Sequence, residues 1–116
     1  MAHSRFQVRP YHRLPVHCSL YVQTEHTYDT GTLWNVSLNG CRISTTLPLQ
    51  EGSLVALLML LPEPGGAMLI QTASVCWTRG PDYGLRLVTL HPVEAGRLER
   101  YVTQAVGKVH AQHQAC

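Results

Sequence analysis

The chain has 116 residues, of which 45% are apolar and only 14% charged, with a net charge of +2 when the histidines are neutral. That length supports a single hydrophobic core, and the weak charge excludes a nucleic-acid binder working through a broad basic surface. The N-terminus carries no apolar run before Arg5 of the kind a secretory leader needs, and the longest apolar run, 54–62, is too short to cross a bilayer.

Taken in chain order, residues 5–18, "RFQVRPYHRLPVHC", place Arg5, Arg9 and Arg13 at a spacing of four. The interval is helical, but Pro10 and Pro15 force Arg9 and Leu14 out of the α region, so residues 1–13 read as an extended, flexible arm. From Leu14 the pattern alternates. Leu14, Val16, Cys18, Leu20 and Val22 point one way and His17, Ser19, Tyr21 and Gln23 the other, which is a strand with one buried face. A polar turn is expected over 24–31, a short strand over 32–37, a tight turn at 38–40 and a third strand over 41–45, with Arg42 outward. Residues 47–53 form a loop punctuated by proline and glycine. The nearly unbroken apolar run 54–61 predicts a strand buried on both faces or under a helix.

Residues 62–66, "PEPGG", are a turn. A long strand is expected over 67–78, a turn over 79–82 and a sixth strand over 83–90. The period then changes: Leu98, Tyr101, Val102 and Ala105 recur at the spacing of an amphipathic helix, with Pro92 in its first turn. Residues 107–116 read as a frayed tail. The fold class is therefore mostly β: a six-stranded antiparallel barrel, spanning 14–106 with its C-terminal helix.

The four cysteines, Cys18, Cys41, Cys76 and Cys116, are far apart and make no C-x-x-C pair. They read as reduced structural residues in a cytoplasmic setting. His110, His113 and Cys116 lie three apart, an arrangement that gathers a metal only if the helix reaches them, and no metal or cofactor is assigned. Trp34 and Trp77 are expected in core or barrel-edge packing. No nucleophile elbow, phosphate loop or paired acids are present, so the chain is not read as an enzyme.

Two patterns remain. R-x-x-x-R at Arg9 and Arg13 immediately precedes the first strand, and N-x-S-x-x-G at Asn35, Ser37 and Gly40 lies between the second and third. In that order, on those elements, the chain resembles the PilZ domain, and "GSLVALLMLL", "ASVCW" and "YGLRL" extend the likeness over roughly residues 5–106. The resemblance implies a bacterial receptor for the second messenger cyclic di-GMP, acting in motility, biofilm or exopolysaccharide systems. The chemistry of the residues agrees with this. An arginine fork matches the O6/N7 edge of guanine or pairs with phosphate, and two arginines four apart on an extended chain are separated by roughly 13 Å, enough to reach different parts of one ligand. Asn35 and Ser37 are expected to share a face, with the Asn35 carbonyl accepting from guanine N–H groups. Gly40 is expected to offer a positive φ and a close approach to backbone. Family members often carry Asp where this chain has Asn35.

Arg42 is read as either a secondary contact or a solvated surface arginine, and Tyr11 and His12 as residues that either stack on a base or face water. In the family, a basic residue just before the first motif arginine accompanies capture of two ligands. Here that position is Val8 and the extra arginine, Arg5, lies a full motif spacing upstream, so one cyclic di-GMP per chain is expected. The implied partners are cyclic di-GMP and an effector protein, with no DNA or RNA and no membrane insertion, the chain being a monomer or weak dimer. The alternative is a ligand-independent PilZ-type interaction module of pilus or motility machinery. Such modules generally lack the arginine pair.

Overall fold

The computed structural model describes residues 13–115, with side chains described as far as Ala105. Six strands, β1 (Leu14–Gln23), β2 (Tyr28–Val36), β3 (Gly40–Thr45), β4 (Leu54–Leu61), β5 (Gly66–Arg79) and β6 (Asp82–Thr89), precede one helix, α1 (Pro92–Ala115). The strands close into an antiparallel barrel in the order β1-β2-β3-β6-β5-β4. The expected six-stranded barrel with a C-terminal helix is what the chain forms.

The alternation in β1 is the source of its wall. Leu20 and Val22 are fully buried while Ser19, Tyr21 and Gln23 face out. The same rule governs β4, and here the expectation fails. Val55, Leu57, Met59 and Leu61 are buried, but Leu54 and Leu60 lie on the outside, 61% and 38% exposed. The apolar run is one buried face plus one apolar outer face, not a strand enclosed on both sides.

β2 begins at Tyr28, four residues before the expected Thr32, and the turn shrinks to Thr24–Thr27, closed by the Thr24 hydroxyl. Asp29 and Gly31 look like turn residues in sequence. Gly31 instead sits where the Ser44 carbonyl of β3 crowds the space a Cβ would need. β5 and β6 run to Arg79 and from Asp82, leaving only Gly80 and Pro81 between them. Tyr83 ties down the long β3–β4 loop, accepting from Leu49 N at 3.2 Å and donating to Leu47 O at 3.0 Å.

Because consecutive ring positions are antiparallel, one rim of the barrel carries the start of β1, the β2–β3 turn, the β4–β5 turn and the end of β6. Helix α1 lies against this rim. His91 Nδ1 accepts from Val93 N at 3.1 Å at its N-terminus, and Arg97 donates to Gly65 O at 2.8 Å. Leu98 and Val102 are buried in the same core as Leu20, Met59 and Met68. Full burial of each such side chain contributes about 1.5–3 kcal/mol, enough to hold the helix there.

Neither tryptophan is in the core. Trp34 is half-buried on the outside of β2, and Trp77 is 40% exposed, packed on Gly84 of β6. Cys18, Cys41 and Cys76 are free, and Cys76, at a bulge in β5, is exposed rather than buried. Burial pushes the Cys41 thiol up to about 12, so it stays protonated. Among the described residues, no helix is long and apolar enough to cross a membrane and no cluster of His, Cys, Asp or Glu is arranged to hold a metal. The side chains of His110, His113 and Cys116 lie outside the described set.

Candidate functional site

The β2–β3 turn is organised by Ser37. The strand ends at Val36, so the alternation stops there and Ser37 folds inward with no exposed surface. Its hydroxyl accepts from Gly40 N at 3.0 Å and Asn39 N at 3.3 Å and donates to Asn39 Oδ1 at 2.8 Å. The turn closes through Ser37 N to Gly40 O at 2.8 Å and is held to β6 by Leu87 N donating to Asn39 O at 2.9 Å. Ser37 and Asn35 therefore do not share a face: Ser37 shapes the turn from beneath.

Gly40 is needed for space and not for its φ. Positive φ is confined to Gly52 and Gly66 among the described residues. A Cβ on Gly40 would lie 2.8 Å from the Leu85 carbonyl of β6 and 3.1 Å from Nη2 of Arg13. The second contact shows what the missing side chain makes room for. The Arg13 guanidinium lies over Gly40, and its Nη1 donates to Asn35 Oδ1 at 3.0 Å. The last residue of one motif and the first and last of the other thus meet at one point on the rim.

Asn35 reaches this point through a pair of bulges. The β1–β2 register slips between Pro15 and Cys18, and the β2–β3 register slips between Leu33 and Asn35. Leu33 and Val36 are buried, and both residues between them, Trp34 and Asn35, are half-buried. Beside Asn35, His17 stacks on Trp34 at 4.8 Å with an interplanar angle of 14°, and the Arg42 guanidinium sits 5.9 Å from the same ring. Trp34 Nε1 donates to Ser44 Oγ at 2.6 Å, Ser44 Oγ to Asp82 Oδ1 at 2.6 Å, and Arg42 to Asp82 Oδ2 at 2.9 Å. The Ser44 hydrogen bond, then the Arg42 hydrogen bond and charge, hold the Asp82 carboxyl below its usual range.

Of the residues singled out in sequence, Arg13, Asn35 and Gly40 are brought together, with Ser37 beneath them. Arg42 is engaged with Asp82 and Trp34 one strand away. Arg5, Val8, Arg9, Tyr11 and His12 lie outside the described residues. The ledge of His17, Trp34, Ser44 and Asp82 was missed because its members are spread over four strands and join only through the barrel. The sole sequence hint is that Trp34 adjoins Asn35.

The PilZ domain family matches the chain over residues 7–104. The chain belongs to the PilZ domain family. No curated protein matches the sequence. Among solved structures it is similar to Escherichia coli YcgR in complex with c-di-GMP, with a TM-score of 0.74 and 16% identity over 92% of this chain and 50% of that one. It is also similar to the Bacillus subtilis inhibitor of motility MotI/DgrA, with a TM-score of 0.69 and 20% identity over 88% and 53% of the two chains. The K. pneumonia MrkH–c-di-GMP complex gives a TM-score of 0.67 and 14% identity over 91% and 56%. At these identities the likeness is one of fold. The chain spans about half the length of each of these three proteins.

Proposed function

We propose that this PilZ domain is a receptor for cyclic di-GMP, and that Arg13, Asn35 and Gly40 form the barrel side of its site. The observation that carries the reading is the Arg13 guanidinium resting on Asn35 over a glycine that leaves it room. R-x-x-x-R and N-x-S-x-x-G, separate in sequence, meet there, and solved PilZ structures of the same fold are complexes with c-di-GMP.

The geometry supports an exchange mechanism. Arg13 donates to the Asn35 carbonyl. A guanine offering N1–H and N2–H to Asn35 displaces the guanidinium, which then turns to the O6/N7 edge or a phosphate, both better partners for a charged donor. Arg9, one motif step earlier, takes a second part of the same ligand. Ser37 keeps its turn bonds and holds Asn35 and Gly40 in place. Arg42 joins only by leaving Asp82. Ordering of the arm by ligand creates a new surface at this rim for an effector protein, which is the signal. One ligand binds per chain, Val8 offering no second anchor, and the receptor works in the cytoplasm of a bacterium without catalysing a reaction.

Titration calorimetry of the full chain with cyclic di-GMP, with GTP and cyclic GMP as controls, tests the reading. We expect selective binding near one ligand per chain. A bidentate arginine contact is worth roughly 1–3 kcal/mol, so Arg13→Ala or Arg9→Ala weakens it about tenfold to a hundredfold. Absence of binding by the folded wild type favours the ligand-independent module, and binding unchanged in Arg13→Ala refutes the site.

A further inference from the structure

Asparagine followed by glycine is the dipeptide most open to spontaneous deamidation, and one such pair, Asn39–Gly40, lies in the β2–β3 turn. The reaction needs no enzyme. The backbone nitrogen of Gly40 gives up its proton and attacks Cγ of Asn39; a C–N bond forms and the side-chain nitrogen leaves as ammonia. Water then opens the cyclic imide at either carbonyl, giving aspartate or isoaspartate. Glycine favours the attack because it has no side chain to obstruct it. The chain's other asparagine, Asn35, precedes the β-branched Val36 and lacks that freedom. Asn39 is exposed, so water reaches it.

We infer that Asn39 is a deamidation site and that Ser37 holds it intact in the folded chain. The buried Ser37 hydroxyl touches both reacting groups. It accepts from Gly40 N at 3.0 Å and donates to Asn39 Oδ1 at 2.8 Å, with Gly40 O a further acceptor at 3.2 Å. The first two contacts act in opposite senses. Donation to Oδ1 draws electrons from Cγ and invites attack, whereas the bond from Gly40 N–H retains the proton whose loss must come first. Retention prevails because ring closure also requires Asn39 to rotate about its own backbone, and that backbone is pinned. Asn39 O accepts from Leu87 N at 2.9 Å and Gly40 O from Ser37 N at 2.8 Å. Closing the ring gives up these bonds together, inside a turn that β6 holds. The products matter for the rim. Isoaspartate inserts a side-chain carbon into the main chain just before Gly40, and aspartate adds a carboxylate there; either alters the turn over which the Arg13 guanidinium lies. The reactivity itself does not depend on the ligand reading.

Incubation of the full chain in mildly alkaline buffer, followed by peptide mass spectrometry with isoaspartate detection, tests it. In the folded wild type Asn39 should persist, whereas the chain in denaturant should convert Asn39 rapidly and leave Asn35 intact. Ser37→Ala, still folded by thermal scan, should convert Asn39 at least about tenfold faster than wild type, the scale of the hydrogen bonds removed. Val55→Ala, a buried position bordering the cavity at the far rim, lowers stability without touching the turn and should change the rate far less. Equal rates in the folded and denatured wild type overturn the inference, as does a denatured chain that keeps Asn39. An unchanged rate in Ser37→Ala, or one matched by Val55→Ala, overturns the role of Ser37. Where Ser37→Ala does not fold, hydrogen exchange in the wild type decides: Gly40 N–H should be protected, and exchange at the denatured rate overturns the inference.

Discussion

Gly40→Ala separates the two demands made on that residue. The new methyl carbon would stand 2.8 Å from the Leu85 carbonyl, which is backbone in the adjacent strand and cannot rotate away. Relief requires β3 to move from β6 where Gly40 pairs with Arg86, straining the Ser37 N to Gly40 O bond that closes the turn. Overpacking of this kind costs about 1–3 kcal/mol, which in a domain of this size is roughly 4–15 °C in Tm. The Arg13 guanidinium, 3.1 Å from the same point, must also give by a few tenths of an ångström, which disturbs its bond to Asn35. We therefore expect both a lower Tm and an at least tenfold weaker cyclic di-GMP isotherm, read by calorimetry well below the variant's Tm. Gly96→Ala is the control. A Cβ there meets only Arg100 Nη1 at 3.5 Å, an ordinary contact, and alanine inside a helix stabilises by about 0.5–1 kcal/mol. A Gly40→Ala protein with unchanged Tm and affinity would refute the steric account of the turn and the placement of Arg13 above it.

Asn35→Asp turns the Arg13 contact into an exposed ion pair worth about 0.2–1 kcal/mol, so the ligand-free Tm rises slightly. Cyclic di-GMP affinity should hold or increase, and a loss beyond tenfold would mean that Asn35 donates its amide hydrogens instead of accepting. Thiol alkylation followed by peptide mass spectrometry should modify Cys76 rapidly in the native protein and Cys41 only on unfolding; early modification of Cys41 would contradict its burial. The Cys41 thiol is raised from 9.0 to about 12 in the fold, so its contribution is fully present below about pH 9 and is lost as pH climbs toward the folded value. Denaturant unfolding at about pH 8 and about pH 10 should show wild-type stability falling more steeply than that of Cys41→Ala, by up to about 1.4 kcal/mol per pH unit, and equal slopes would count against the shift.

The barrel was legible because period-two alternation and turn residues are local signals, and β1, β3 and the hairpin turns carry them cleanly. The errors were of a different kind. Asp29 and Gly31 imitate a turn, yet Gly31 answers to β3 crowding it, which only the closed sheet reveals. The run in β4 implied burial on both faces because a sequence does not distinguish an enclosed wall from an apolar one left outside. At the candidate site, the two motifs were legible, but the roles of Ser37 and Gly40 depend on hydrogen bonds within the turn and on the Leu85 carbonyl. Strand alternation, carried one residue too far, put Ser37 on the same face as Asn35, whereas it is fully buried.

Bulges explain why the site lies where it does. In an unbroken strand with Leu33 inward, Trp34 would face out and Asn35 would turn into the core, leaving a polar amide in apolar surroundings. The extra residue in β2 leaves Trp34 and Asn35 both half-buried between the buried Leu33 and Val36. The matching slip in β1 lies against the same stretch, Pro15 pairing with Asn35 and Cys18 with Leu33, so the two departures bend one patch of wall together. That bend lets the chain enter β1 with Arg13 above the β2–β3 turn. The proposed site is thus built from a register defect shared by adjacent strands, and on the outer surface Trp34 is held by His17, Ser44 and Arg42. The ledge and the proposed site are neighbouring products of one bulge, with Trp34 packed on the outer surface and Asn35 bonded to Arg13.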